Sequence, residues 1–379
     1  RLAVLPAAPR EGCLAGTSTP ARGGGSVKTM FHARARARGV PAFVAGVCLA
    51  FASGAAVEAA TITVNSVNQV DPGQCTSATA IASMNAGADQ PGCTHSGTYG
   101  TSDTIALAAS TYALTVADNG NNAFPIINVP IIINGNGATL SRTNGAVAPF
   151  FRFFEVSNGG LTLNNATLTG GNIPNGDGGA IFVDSGPLSI SGSTFSGNSV
   201  PGGDGGAVYH NSVEAAIITN STFTGNSASG GDGGAVYDNS SNGLTLTNTS
   251  FSGNSASDGD GGAVYDNSIG GVSISNGTFD SNSASAGNGG AIYDNSSNGL
   301  VFNGGSVTNN TVSPGGDGGG IYDNSSGGIN ITGVVFTGNS ASGGDGGAIY
   351  DGSFTGTGPV SNNCIVGNTA TISGGGIFR

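Results

Sequence analysis

Aspartate recurs at a nearly constant interval along the second half of the chain. The members of the first series each stand before a Gly-Gly pair: Asp204, Asp232, Asp260, Asp317 and Asp345. The members of a second series each follow a tyrosine in YDN segments: Asp238, Asp266, Asp294, Asp323 and Asp351. Carboxylate oxygens in glycine-rich loops are the ligands that calcium prefers, so the first series is a candidate metal site.

The same aspartates also suit a purely structural role. Asp begins turns by bonding its own backbone two residues on, and the glycines that follow can adopt positive φ. Asn288 takes the slot between Asp260 and Asp317, and Asn suits a turn as well as Asp does. The spacing also differs from the nonapeptide calcium repeat of other β-helices. The turn is the favoured interpretation, and a calcium row stays open as the alternative.

The whole unit repeats, with successive Gly-Gly slots 27 to 29 residues apart from Asp177 to Ser373. One column is aromatic: Phe182, Tyr209, Tyr237, Tyr265, Tyr293, Tyr322, Tyr350 and Phe378. A second is apolar: Phe195, Phe223, Phe251, Phe279, Val307, Phe336 and Ile365. A third is asparagine, three residues beyond the second: Asn198, Asn226, Asn254, Asn282, Asn310, Asn339 and Asn368. Apolar pairs such as Leu244 and Leu246 are two residues apart, which is the alternation of a strand.

A unit of about 28 residues cannot bury a core alone, but coils stacked about 4.8 Å apart give each inward column a copy above and below. The fold class predicted is therefore all-β, a single-stranded parallel β-helix. Phenylalanines would stack inside it, and the asparagines would pass amide hydrogen bonds from coil to coil at a bend. The general rule for parallel crossovers makes the helix right-handed.

Four segments divide the chain. Residues 1–29 are predicted to precede the natural start, and 30–60 to be a signal peptide, with a basic MFHARARARG followed by an apolar run. Residues 61–170 would form an N-terminal cap and irregular coils, with a helix over 75–87 and a possible disulfide between Cys75 and Cys93. Residues 171–379 would form the regular repeats, ending mid-coil in GGGIFR, which predicts that the natural protein continues.

The charge of the mature region excludes two partner classes. Beyond residue 60 three arginines face twenty acids, a net charge of −17, and no lysine occurs. Nucleic acids and anionic lipids both select clustered Lys or Arg, so neither is an expected partner. No later segment is long and apolar enough for a transmembrane helix.

The combination of GGA[VI]Y with F-x-x-N resembles the repeat of polymorphic outer membrane proteins and related bacterial surface β-helices. The region from Cys75 through DTIAL, TYALTV and FFRFFEV is similar to the start of secreted bacterial proteins with a CSLREA motif, although SATA replaces the core of that motif. The resemblance implies a surface or secreted passenger that is often adhesive, and it supplies no catalytic residues.

Two other function classes have some support in the residues. A polysaccharide lyase or hydrolase needs a base or a carboxylate pair beside cations, and the mature region offers only His95, His210, Arg142 and Arg152 for this. Alternation with Phe151 and Phe153 predicts that Arg152 points outward. Ice or glycan binding by a flat hydroxyl face would use pairs such as Thr245 and Thr247, but Ala, Asn and Val interrupt this array in other coils.

The sequence thus predicts a non-enzymatic, exported, adhesin-like or structural β-helix, located at the cell surface, in the outer membrane or outside the cell. It predicts no catalytic residues and no cofactor, with calcium as the exception left open. A host or matrix glycan is the partner considered, and the scaffold is expected to be monomeric.

Overall fold

The computed structural model describes residues 58–100, 102–143, 149–354 and 358–379. The predicted upstream segment 1–29 lies outside the described residues, and so does the predicted signal peptide 30–60 except for its last three residues. Ala60 is fully buried, and its backbone N–H donates to Oδ1 of Asp103 at 3.0 Å.

The described chain forms a parallel β-solenoid of about ten coils, which confirms the predicted fold class. Its strands lie in three sheets. The long sheet contains Thr61–Thr63, His95–Ser96, Asp103–Ala106, Thr111–Leu114, Pro130–Arg142, Gly160–Thr169, Leu188–Ser191, Thr194–Ser196, Ala216–Thr219, Thr222–Thr224, Leu244–Thr247, Ser250–Ser252, Val272–Asp280, Leu300–Thr308, Ile329–Thr337, Val360–Ser361 and Cys364–Val366. The tyrosine sheet contains Phe154–Val156, Ile181–Val183, Val208–His210, Val236–Asp238, Val264–Asp266, Ile292–Asp294, Ile321–Asp323, Ile349–Asp351 and Ile377–Phe378. The short sheet contains Ser199–Val200, Ser227–Ala228, Ser255–Ala256, Ser283–Ala284, Thr311–Val312, Ser340–Ala341 and Thr369–Ala370.

Each strand of the regular coils pairs in parallel with the same strand of the next coil. Phe195 is the register partner of Phe223, and Tyr209 is the partner of Tyr237. The earlier coils follow the same register, since Leu161 pairs with Leu188 and Leu168 with Phe195. Because equivalent residues become neighbours, each column of the sequence becomes a continuous row in the structure.

The interior phenylalanine stack is confirmed. Phe195, Phe223, Phe251 and Phe279 are fully buried, with ring centroids 4.7 to 4.9 Å apart and nearly parallel rings. Val307 takes the next place in the column, and the stack changes there. Phe302, from the neighbouring apolar pair of the same coil, contacts Phe279 edge to face at 5.8 Å. A phenylalanine from the adjacent column thus fills space beside the smaller valine.

The asparagine ladder is also confirmed, and it is fully buried from Asn198 to Asn339. In a typical step, Oδ1 of Asn254 accepts from the backbone N–H of Asn226 at 3.0 Å and from its Nδ2 at 2.9 Å. Nδ2 of Asn254 donates in turn to the carbonyl of Phe223 and to Oδ1 of Asn282. Each amide therefore satisfies backbone groups at a bend where the strand ladder is interrupted.

The first coils are closed by the predicted helix, which spans Ser77–Ala86. Thr76 caps its N-terminus in a reciprocal bond with Thr79, and Gly87 ends it in the left-handed conformation. The buried side chains of Ile81 and Met84 belong to the same apolar cluster as the coils. The Cys75–Cys93 disulfide is present and ties the start of this helix to the segment that follows it.

Candidate functional site

The aromatic column forms a continuous outward row on the tyrosine sheet, here called the tyrosine ladder. It consists of Phe182, Tyr209, Tyr237, Tyr265, Tyr293, Tyr322, Tyr350 and Phe378. Successive tyrosine centroids are 4.7 to 4.9 Å apart, with rings within 12° of parallel. The tyrosines are half-buried, because each ring face is covered by the ring of the next coil. The edges and hydroxyl groups are what this ladder offers to a partner.

The ladder begins under Arg152, whose guanidinium lies 4.7 Å from the centroid of Phe182. Arg152 is only 6% exposed and pairs with Glu155 at 3.1 Å. Arg152 thus lies on the outer side of the coil, as its alternation with the buried Phe151 and Phe153 predicts. What the sequence did not indicate is that the guanidinium is covered there by Phe182 and Glu155 and is not exposed to solvent.

The candidate metal residues form a half-buried row beside the ladder, here called the outer aspartate row: Asp177, Asp204, Asp232, Asp260, Asn288, Asp317 and Asp345. Oδ1 of Asp204 accepts from the backbone N–H of Asp232 at 2.8 Å, and Asp232 does the same for Asp260 at 2.7 Å. The turn interpretation predicts that each aspartate bonds its own backbone two residues on. The structure shows instead that each aspartate bonds the backbone of the next coil. Oδ1 of Asp345 is buried without a hydrogen-bond partner.

Electrostatics in the outer row are set mainly by desolvation. Burial raises the pKa of Asp204, Asp232 and Asp260, and hydrogen bonds from the next coil partly oppose this. The glycines after these aspartates fit a close coil-to-coil contact. Gly205 has φ of 63°, and a Cβ on Gly206 would clash with the carbonyl of Gly234. The row is a backbone-binding element in this structure, and calcium binding by it stays a prediction.

The YDN aspartates lie inside the solenoid and form the inner aspartate row: Asp238, Asp266, Asp294, Asp323 and Asp351. The first four are fully buried. His210 occupies the same position one coil earlier, and its Nδ1 lies 2.7 Å from Oδ1 of Asp238. Sequence reasoning missed the inward direction, although Val-Tyr-Asp alternation with tyrosine outside would have given it.

The other residues weighed for catalysis lie in separate places. His95 contacts Asp89 at 2.8 Å near the cap, and Arg142 lies over Phe150 and donates to the carbonyl of Pro149. Arg152 has a paired carboxylate, but it is covered by the first ring of the ladder. Among the described residues, no three His, Cys, Asp or Glu side chains are grouped so that they could hold a metal ion.

The outward positions of the long sheet carry the hydroxyl residues. Thr245 pairs in register with Ile217 on one side and with Ser273 on the other, and Ser273 with Val301. Apolar residues therefore interrupt this column, as the sequence predicts. Within the described ranges, no helix has the length and apolarity needed to span a bilayer.

The comparisons agree with this geometry. The model of the Chlamydia polymorphic membrane protein repeat matches residues 192–211, 220–239, 248–267, 276–295 and 333–351. The first of these matches runs through Phe195, Asn198, Asp204 and Tyr209, so it spans the phenylalanine stack, the asparagine ladder, the outer aspartate row and the tyrosine ladder. Searches of the curated proteins and of the solved structures gave no match. Five segments of this parallel β-helix are thus similar to the Chlamydia polymorphic membrane protein repeat, and such repeats indicate a surface-exposed bacterial β-helix.

Proposed function

We propose that this chain is an exported, non-enzymatic β-helix that acts at the bacterial surface as an adhesin-like or structural passenger. The five matches to the polymorphic membrane protein repeat support surface exposure. The observation that carries the binding role is the tyrosine ladder, a row of half-buried rings repeated once per coil.

A repeated row favours an extended and repetitive partner. Such a partner can contact several coils at once, and linked contacts raise the overall affinity without any single strong site. A glycan or matrix polymer has this property. Because the ring faces are already stacked on one another, recognition would use the hydroxyl groups and ring edges and not sugar packing on an exposed face.

Binding of the full chain to arrays of immobilised glycans and matrix proteins tests this function. A variant with Tyr237, Tyr265 and Tyr293 all changed to Phe removes three hydroxyls and keeps the stack, since Phe182 and Phe378 already occupy this column. The matched control changes Thr245→Val on the long sheet, where Ile217 and Val301 stand in the same column. We expect the wild type and the control to bind and the triple variant to lose at least tenfold in affinity.

Two results would contradict the proposal. Equal binding by the triple variant would show that the tyrosine ladder is not the contact surface. Surface exposure would be contradicted if externally added protease fails to cleave the chain on intact cells of a strain that produces it.

A further inference from the structure

The centre of the inner aspartate row is a chain of buried carboxyl groups in register. Asp238, Asp266, Asp294 and Asp323 occupy the same place in successive parallel strands, and each is 0% exposed. Strands of a sheet lie about 4.8 Å apart, so the carboxyl groups of neighbouring coils are within reach of one another.

One end of the row meets a histidine, and the other end meets an arginine. His210 lies 2.7 Å from Oδ1 of Asp238, and Nε of Arg379 lies 3.0 Å from Oδ2 of Asp351. Between these ends, the described residues place no basic side chain beside Asp266, Asp294 or Asp323. The other titratable group that acts on the row is Tyr322, on the opposite face of the strand that carries Asp323.

The hydrogen bonds available from the surroundings do not satisfy the central carboxyl groups. Oγ of Ser268 donates to Asp266, and the backbone N–H of Ser296 donates to Asp294. Oδ1 of Asp266, Oδ2 of Asp294 and both oxygens of Asp323 are buried without a well-aligned hydrogen bond. The hydroxyl groups of Ser296 and Ser325 are near enough to act on Asp294 and Asp323, but they do not satisfy all of these oxygens. A buried unpaired carboxylate oxygen is costly, and two ionised carboxylates side by side repel each other. A proton between neighbours removes both penalties, because a protonated carboxyl group donates a hydrogen bond.

We propose that the inner aspartate row is a proton-binding site, in which Asp266 and Asp323 stay protonated at neutral pH and each donates its one O–H to the Asp294 carboxylate between them. Charged and neutral groups then alternate along the row. Asp238 lies within hydrogen-bonding distance of Nδ1 of His210, and Asp351 is paired with Arg379. Acid therefore stabilises the folded state of these coils, and alkali destabilises it.

The direction of titration agrees with protons on Asp323 and Asp266. Burial also raises the pKa of Asp294, but hydrogen bonds from Ser296 and from its two aspartate neighbours oppose this increase. Burial, followed by the charge of Asp294, raises the pKa of Asp323 to about 8. Burial, followed by the charges of Asp294 and Asp238, raises the pKa of Asp266 well above its usual range. A carboxyl group with a raised folded-state pKa binds more protons in the folded than in the unfolded state. Stability is therefore highest below the unfolded value of 3.8 and falls as the pH rises towards about 8.

Infrared spectroscopy of the full chain, labelled with carboxyl-¹³C aspartate, tests the protons directly. We expect a protonated carboxyl band at neutral pH that persists while exposed aspartates are ionised and disappears on alkaline titration. Thermal unfolding followed by circular dichroism between about pH 4 and about pH 9 should show a midpoint that falls by several degrees over this range.

Variants test whether the protonated carboxyl band and the pH dependence of the unfolding midpoint arise from the inner aspartate row. Changing Asp266 and Asp323 to Asn keeps the shape and supplies an N–H donor where the proton is proposed. We expect this double variant to lose the protonated band and to show a flatter pH profile, with a higher midpoint than the wild type at alkaline pH. Asp258→Asn is the matched control, an exposed aspartate in the same repeat region, and it should leave both readouts unchanged.

Three outcomes would overturn the proposal. The first is a wild-type spectrum with no protonated carboxyl band at neutral pH. The second is a band and a pH profile in the double variant that match those of the wild type. The third is an alkaline midpoint that rises with added potassium or calcium and falls with chelator, because cations and not protons would then hold the row.

Discussion

Changing Asn254 to Asp would test whether the buried asparagine ladder holds the coils together. The substitution preserves the shape of the side chain and replaces the Nδ2 donor with an acceptor. Two bonds are lost, one to the carbonyl of Phe223 at 3.0 Å and one to Oδ1 of Asn282 at 2.9 Å. Two net hydrogen bonds correspond to about 2 kcal/mol. The new oxygen would face two acceptors without a donor, and an ionised group there raises the expected loss to about 3–5 kcal/mol at neutral pH, although Oδ1 keeps its two bonds from Asn226.

The chain offers a matched control six residues earlier. Asn248 lies in an exposed ladder, where its Nδ2 donates to Oδ1 of Asn220 at 3.2 Å, and its φ of 50° suits Asp as well as Asn. Asn248→Asp makes the same chemical change in water, so we expect a loss within about 0.5 kcal/mol.

Urea unfolding of the two full-length variants measures the difference, and hydrogen exchange shows where it arises. Because solenoids can open one region at a time, protection should fall most in the coils of Asn226, Asn254 and Asn282. Acid should partly restore the Asn254→Asp variant, since a protonated carboxyl group regains one donor. Equal losses for the two variants, or uniform loss of protection along the chain, would refute the reasoning.

Three further predictions follow from the other rows. Phe251→Ala in the interior stack should lower the free energy of unfolding by about 3–5 kcal/mol, whereas Phe251→Val should lower it less because Val307 already occupies this column. Urea unfolding measures both losses, and equal losses would contradict the role of the stack. Chelation with EDTA should leave the unfolding midpoint of the full chain unchanged, because Oδ1 of Asp204 and Oδ1 of Asp232 already accept hydrogen bonds from backbone N–H groups. A midpoint that rises with added calcium would instead support calcium binding by the outer aspartate row. Burial raises the pKa of Tyr209 and Tyr322 to about 12, followed by the charge of Asp177 for Tyr209 and that of Tyr350 for Tyr322. Ultraviolet absorbance should therefore show them ionising well above pH 10, with stability falling as the pH rises through that range. Ionisation at the ordinary pKa would contradict the burial of the ladder.

The rows of the solenoid could be predicted because the period of the sequence fixes them. Once equivalent residues recur every 28 positions, stacking makes Phe251 a neighbour of Phe223 and Asn254 a neighbour of Asn226, and both predictions are confirmed. The capping helix and the Cys75–Cys93 pair were also predictable, because helical spacing and cysteine spacing are local signals.

The burial of two charged side chains could not be obtained in the same way. Asp266 faces inward against the usual cost of burying a carboxylate, and only a neighbour in the next coil that can share a proton makes that position tolerable. Arg152 lies on the outer side, as alternation with Phe151 and Phe153 predicts, but Phe182 of the next coil covers its guanidinium. Both cases depend on contacts between coils that no single repeat contains.

The ends of the rows explain where the residues that differ from the repeat are found. A row inside a solenoid satisfies each member with a copy of itself, so its first member lacks one neighbour and needs a different partner. His210 supplies that partner to Asp238 in the inner aspartate row, and Arg152 covers Phe182 at the start of the tyrosine ladder. Functional change in such a fold is therefore limited on the inside, where every substitution alters two neighbours. On the outward columns, single positions such as Thr245 can vary while the core is preserved.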